Sequence, residues 1–160
     1  MPTDEQVPTL FKYSGSMTEQ LEQKSGRCIK VLQRREFVGR TFRFIANILG
    51  QPYNQRLWQR EVFLGDTRPW LFGRTVALPA ARRPALSPLQ KLGDQPLGPV
   101  LFDRLGALRV HAQSLSLPPE HPLISSLECS EPLWSRLSLF AVDWHWILVQ
   151  ETILPECPLK

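Results

Sequence analysis

The chain has 160 residues, 42% hydrophobic and 21% charged, which suits one globular domain with its own core and excludes a disordered or fibrous chain. Its formal net charge of +4 favours an anionic partner. The basic pairs Arg34-Arg35 and Arg82-Arg83 stand apart and no helix carries a continuous basic stripe, so both pairs read as solvated surface and nucleic acid is not expected as a partner.

The first segment, MPTDEQVPTLFKYSG, has acidic residues early and no apolar run, so it does not read as a signal peptide. Ser16-Met17-Thr18-Glu19 has the form of a capping box and predicts a helix to Lys24, stopped by Ser25-Gly26. A strand is expected from about Arg27 to Val38, and the polar segment around Gly50-Gln51-Pro52 reads as a loop or a short helix. Arg56 to Leu64 and Trp70 to Leu78 read as antiparallel strands joined by the turn Gly65-Asp66-Thr67-Arg68-Pro69. Gly73, inside the second of these, marks a bulge, a close backbone approach or plain tight packing.

Many of the 15 prolines lie between Pro79 and Pro122. Within that stretch Leu89-Gln90-Lys91-Leu92, ended by Gly93, and Val100 to Arg104 read as short helices. Pro118, Pro119 and Pro122 exclude regular structure around themselves. Leu133 to Val142 and Trp144 to Leu154 read as two final strands, followed by a short irregular tail, Pro155 to Lys160. No run of about 18 apolar residues occurs, so no membrane span is expected. The sum is a single α+β domain over residues 1–160, a mostly antiparallel sheet flanked by helices.

Cys28, Cys129 and Cys157 lie far apart, and their odd number argues against a disulfide framework and for a reducing cytoplasm. His111, His121 and His145 have no metal-ligand spacing. Phosphate loops, a GxSxG elbow and HExxH are all absent, and no Ser, Cys or His stands at a triad spacing.

Two lone charges carry the functional signal. In Trp58-Gln59-Arg60-Glu61-Val62-Phe63-Leu64, strand alternation puts Arg60 on one side with Trp58, Val62 and Leu64. In the last strand it puts Glu151 with Ile147, Val149 and Ile153. A charge among apolar neighbours costs several kcal/mol or more when unpaired. Either Arg60 and Glu151 pair with each other, or they meet a small anionic ligand with a hydroxyl or ether at its other end.

These segments together resemble the chorismate pyruvate-lyase family, the enzymes that make 4-hydroxybenzoate for ubiquinone. The resemblance covers about Ser16 to Lys160. It rests on Ser16-Met17-Thr18, Arg60-Glu61, Pro69-Trp70-Leu71 with Gly73-Arg74-Thr75-Val76, Leu89 to Gly93 through Pro96-Leu97-Gly98 with Leu101-Phe102, and Glu151 ahead of Leu154-Pro155. It implies a ligand enclosed beneath two flap-like segments, and cofactor-free elimination of pyruvate from chorismate. It also implies contacts from Met17, Arg60, Leu97 and Glu151. Arg60 would grip the ring carboxylate, Glu151 would face the hydroxyl end as an acid–base group or only as a binder, and Met17 and Leu97 would act through backbone groups and closure. The sequence departs from the family in a shortened segment ahead of Met17 and in residues 39–55.

The competing reading is a non-catalytic effector-binding domain of the same fold type. Such domains of bacterial regulators follow a winged-helix domain, for which the 16 residues ahead of Met17 are too few. No interface signature shows, so a monomer is expected.

Overall fold

Six runs of alternating side chains hydrogen-bond into one open antiparallel sheet in the computed structural model, which describes residue 3, residues 6–13 and residues 15–159. The readings of the first segment and of the tail fall partly on residues 1, 2, 4, 5, 14 and 160, outside the described residues. The strands are β1 (Lys30–Gly39), β2 (Leu57–Gly65), β3 (Pro69–Ala77), β4 (Leu108–Leu117), β5 (Leu133–Val142) and β6 (His145–Ile153), in the spatial order β1-β2-β3-β6-β5-β4. Two helices accompany them, α1 (Met17–Ser25) and α2 (Arg43–Ile48).

The capping box performs as its sequence predicts at one of its two bonds. Ser16 Oγ accepts from the Glu19 N–H at 3.4 Å, and Gly26 closes α1 in the left-handed conformation. The two short helices expected in the proline-rich stretch are instead a 3-10 turn (Leu89–Lys91) and a π-helical turn (Pro99–Arg104). Each is too short and too proline-flanked to settle into α-helical hydrogen bonding. Residues 39–55 contain the six-residue α2 followed by irregular chain. The unexpected element is β4, an edge strand. Most of its side chains are exposed, so they lack the clean alternation of a half-buried strand.

Each face of the sheet has its own cover. On one face Phe72, Val76 and Leu148 pack with Ile45 and Leu49 at α2 and with Leu123 and Ile124 of the loop after β4. On the other, Trp58, Phe140, Ile147 and Val149 pack under Leu86, Leu89, Leu92 and Leu101. At the end beyond the β2–β3 turn, Met17 and Leu21 of α1 pack with Leu10, Trp70, Leu71 and Ile153. Among the described residues no helix is long and apolar enough to cross a membrane.

Asp66 fixes the β2–β3 turn. It accepts from the Arg68 N–H at 3.0 Å and from Arg27 Nη1 at 2.6 Å. The Arg68 backbone bond, with smaller help from Thr67 and Arg27, lowers its pKa from 3.8 to about 2. A depressed carboxylate pKa contributes stability above the unfolded value and loses it as pH falls through the folded one. Asp66→Asn is therefore expected to be less stable than the parent at neutral pH, with the gap closing between pH 3.8 and about 2. Urea unfolding across that range measures it, and a pH-independent gap would assign the loss to turn geometry instead.

Candidate active site

Antiparallel register puts directly opposed residues on the same face, and one transverse row of this sheet reads Val62, Gly73, Glu151, Arg136 across β2, β3, β6 and β5. The next row reads Arg60, Thr75, Val149, Ser138. From these rows Arg60, Val62, Gly73, Thr75, Val149 and Glu151 floor a cavity. Its opposite wall is built by residues 15–18 at the start of α1 and by residues 96–98, Leu101 and Phe102. Met17 and Leu97, expected from the sequence as site residues, stand on these two covering segments, and Arg60 and Glu151 on the floor. All four line the one cavity.

The free volume is about 60 Å³. One water needs roughly 10–15 Å³ on that measure, so the space suits a few waters or one small planar ligand. The two covering segments touch. A Cβ built on Gly98 would lie 2.7 Å from Ser16 Oγ, so only glycine lets the chain pass this close. Gly73 is a close approach rather than a bulge, because its register with Val62 and Glu151 is regular and an added Cβ would meet Val62 Cγ2 at 3.2 Å.

Arg60 and Glu151 do not pair, because β3 lies between their strands. The structural ion pair considered from the sequence is thereby corrected, and each residue has other partners. Arg60 is 3% exposed and donates from Nη2 to the Gly93 and Gln95 carbonyls at 3.1 and 2.9 Å. Its Nε is buried without a hydrogen-bond acceptor among the described residues. Burial lowers the Arg60 pKa from the usual guanidinium value, Glu36 and Asp94 oppose that shift, and Arg34 adds to it. A desolvated guanidinium of this kind gains most from an anion that brings its own acceptors.

Glu151 is held by Arg136, its cross-strand neighbour. Arg136 Nε donates to Glu151 Oε1 at 2.9 Å, and Nη2 lies 2.7 Å from the same oxygen without hydrogen-bond geometry. Arg136 Nη1 donates onward to the Phe11 and Tyr13 carbonyls at 3.1 and 2.6 Å. One buried guanidinium thus orients the carboxylate and ties down the chain that leads into α1.

The sequence reading passed over Arg136 and Arg109. The lone-charge test finds Arg136 in β5, on the face it shares with Trp134, Ser138 and Phe140. Arg109, on the unexpected β4, lines the cavity with its guanidinium 4.9 Å from the Phe140 ring centre. Burial, and next the nearby Arg136 charge, lower its pKa, while Glu151 raises it.

Comparison with known proteins gives one consistent result. A family model described as Chorismate lyase matches residues 5–159. A chorismate pyruvate-lyase of Pectobacterium atrosepticum is 34% identical over 152 residues, 91% of this chain and 75% of that protein. A probable chorismate pyruvate-lyase of Pseudomonas putida is 33% identical over 143 residues, 88% of this chain and 77% of that protein. Among solved structures, the PhnF C-terminal domain superposes with a TM-score of 0.62 at 13% identity, covering 98% of this chain and 95% of that one. The effector domain of PhnF from Mycobacterium smegmatis does so with a TM-score of 0.56 at 18% identity, covering 89% and 90%. At these identities the structural likeness speaks for the fold alone.

Removing one partner of a buried ion pair strands the other. Arg136→Met is expected to cost about 3–5 kcal/mol by urea unfolding, and Arg136→Met with Glu151→Leu to recover much of it. A single variant within about 1 kcal/mol of the parent, the range of an exposed pair, would show that the Arg136–Glu151 contact is not a buried pair in solution.

Proposed function

The chain belongs to the chorismate lyase family, and we propose that its cavity residues divide the work of that family's reaction, with Arg60 holding the ring carboxylate and Glu151 the ring hydroxyl. The reaction is the elimination of pyruvate from chorismate to leave 4-hydroxybenzoate, a carbon–oxygen lyase step in ubiquinone biosynthesis. The observation that carries the assignment is one small cavity with a buried guanidinium on β2 and an oriented carboxylate on β6. Two strand spacings, about 10 Å, separate those strands, which leaves room for a ring between the two groups.

The chemistry asks little of the protein beyond placement. The ring C3–O bond breaks, the C4 hydrogen leaves as C3=C4 forms, and the ring becomes aromatic. The enolpyruvyl methylene gains that hydrogen and becomes the pyruvate methyl. Aromatisation supplies the driving force, so holding the ether in a reactive conformation and keeping water out are the main tasks. Arg60 offers its Nε and a planar fork to the carboxylate. Chorismate carries a second carboxylate on the enolpyruvyl group, and Arg109, the other cavity cation on the sheet, suits it.

Arg136 already engages Oε1 of Glu151, Nε as the donor and Nη2 in ionic contact, which leaves Oε2 for the C4 hydroxyl. That prior engagement supports a binding role for Glu151 with the hydrogen passing within the substrate. Residues 15–18 and 96–102 act as the two flaps, Met17 and Leu97 contributing backbone groups and closure. Their contact at Ser16 and Gly98 supports this. The same reading makes the protein a cytoplasmic monomer that needs neither metal nor nucleic acid. The thiols of Cys28, Cys129 and Cys157 fit a reducing compartment.

Purified protein incubated with chorismate is expected to release 4-hydroxybenzoate and pyruvate in equal amounts, unchanged by EDTA. Loss of activity in the chelator, restored by a divalent ion, would end the metal-free reading. Arg60→Lys is expected to weaken 4-hydroxybenzoate and benzoate alike by about 1–3 kcal/mol, the worth of a hydrogen bond to a charged group, as read by calorimetric titration. Unchanged affinity for both would make Arg60 structural. Glu151→Gln, in folded protein that still binds product, is expected to keep turnover within about 10²-fold of the parent. A larger fall would make Glu151 a proton-transfer group.

A further inference from the structure

The side chains that this protein fails to bury are not scattered. β1 ends, β2 begins, β3 ends, β6 begins, β5 ends and β4 begins at one end of the sheet, as the registers Val38 with Trp58, Trp58 with Ala77, Val142 with His145 and Leu108 with Ala141 require. Every large hydrophobic that the described residues expose lies at this end. Val38 closes β1, Phe44 and Ile48 project from α2, and Tyr53 follows in the next loop. Leu108 and Val110 open β4. Trp144, 97% exposed, and Trp146, 42% exposed, belong to the β5–β6 turn and the start of β6.

They run the width of the sheet, from the β1 edge to the β4 edge, with Trp144 and Trp146 between those edges. A groove lined by Leu49, Gln51, Arg83, Trp144 and Trp146 joins the end of α2, the chain after β3 and the β5–β6 turn. Single exposed apolar residues are ordinary, but a group of them at one end of a fold marks a contact surface. A tryptophan held at a hairpin tip in full contact with water is costly, and Asp143 before it takes a positive φ of 44° to form that turn.

The charge at the same end identifies the partner. Arg40, Arg43, Arg56, Arg82 and Arg83 are all exposed there. Against them stand Asp143 in the turn and Glu120, next to the His121 ring that packs on Phe44. The apolar groups protrude from separate loops and strand ends, so they do not form one contiguous hollow. A protein partner needs matched shape across such a surface, whereas a lipid bilayer deforms around each protrusion. Exposed Trp and Tyr with flanking arginines is the chemistry of the membrane–water interface.

We propose that this end of the sheet docks peripherally on an anionic lipid bilayer. Trp144 and Trp146 lie at the level of the headgroups, and the arginines meet lipid phosphates. The proposal concerns a surface apart from the catalytic cavity and does not depend on the roles assigned there, since none of these tryptophans or exposed arginines lines that cavity.

Co-sedimentation with vesicles tests it, using phosphatidylcholine alone and phosphatidylcholine mixed with phosphatidylglycerol. The full chain is expected to pellet with the mixed vesicles, less so as salt rises, and to stay in solution with phosphatidylcholine. Trp144→Ser and the pair Arg82→Glu with Arg83→Glu are each expected to weaken partitioning by about tenfold or more. Both variants are expected to convert chorismate at the parent rate, which shows that they are folded. Failure to pellet with either vesicle, equal pelleting with both, or parent-like pelleting of both variants would overturn the proposal. So would a dimer in sedimentation velocity that Trp144→Ser dissolves, which would assign the patch to a second copy of the chain.

Discussion

The Arg136 guanidinium is the constraint on which the cavity depends. It is nearly fully buried and divides its donors between Glu151 on the next strand and two backbone carbonyls of the chain ahead of α1. Desolvating an arginine is expensive, so the arrangement is stable only when the carboxylate and the carbonyls are present together. The same interaction therefore sets the rotamer of a floor residue and the position of a covering segment. The chain ahead of α1 is anchored by charge-assisted hydrogen bonds as well as by the packing of Leu10 and Phe11.

Alternation along the strands separates two kinds of polar chemistry that sit side by side in sequence. Arg60 faces the cavity, while its neighbour Glu61 faces the other way and accepts from Arg74 Nε at 3.1 Å. Glu151 faces the cavity, while Gln150 faces the other way and accepts from Arg74 Nη1 at 2.6 Å. On that second face Arg74 also donates to the Leu123 carbonyl at 3.0 Å and so holds the loop after β4 against the sheet. Arg74 thus commits Nε and Nη1 to fixed partners. Arg60 keeps a buried Nε without an acceptor among the described residues, on the face that carries the cavity.

Close approach of backbone does the rest of the shaping. The absence of a side chain at Gly73 leaves the middle of the floor low between Val62 and Glu151, and its absence at Gly98 lets the second covering segment rest against Ser16. A sheet floor positions its side chains more rigidly than the irregular and π-helical chain of residues 96–102 that covers it. The floor side chains thus stand on the stiff layer, and the covering segments belong to the softer one.

The sequence by itself determined the antiparallel strands, the capped helix α1 and the outlying charges Arg60 and Glu151, because alternation and capping are local and each residue carries its own signal. The lone-charge test applies equally to Arg136, whose face of β5 is otherwise without charge. Edge strand β4, and Arg109 with it, stayed illegible because a strand exposed on most of its length has no period to read. Tertiary structure alone decided who pairs with whom. The strand order puts β3 between β2 and β6, so Arg60 and Glu151 share a cavity without touching, and the β5–β6 register gives Glu151 to Arg136. Which strands become neighbours follows from burying two faces at once, a requirement of the whole chain that no local pattern contains.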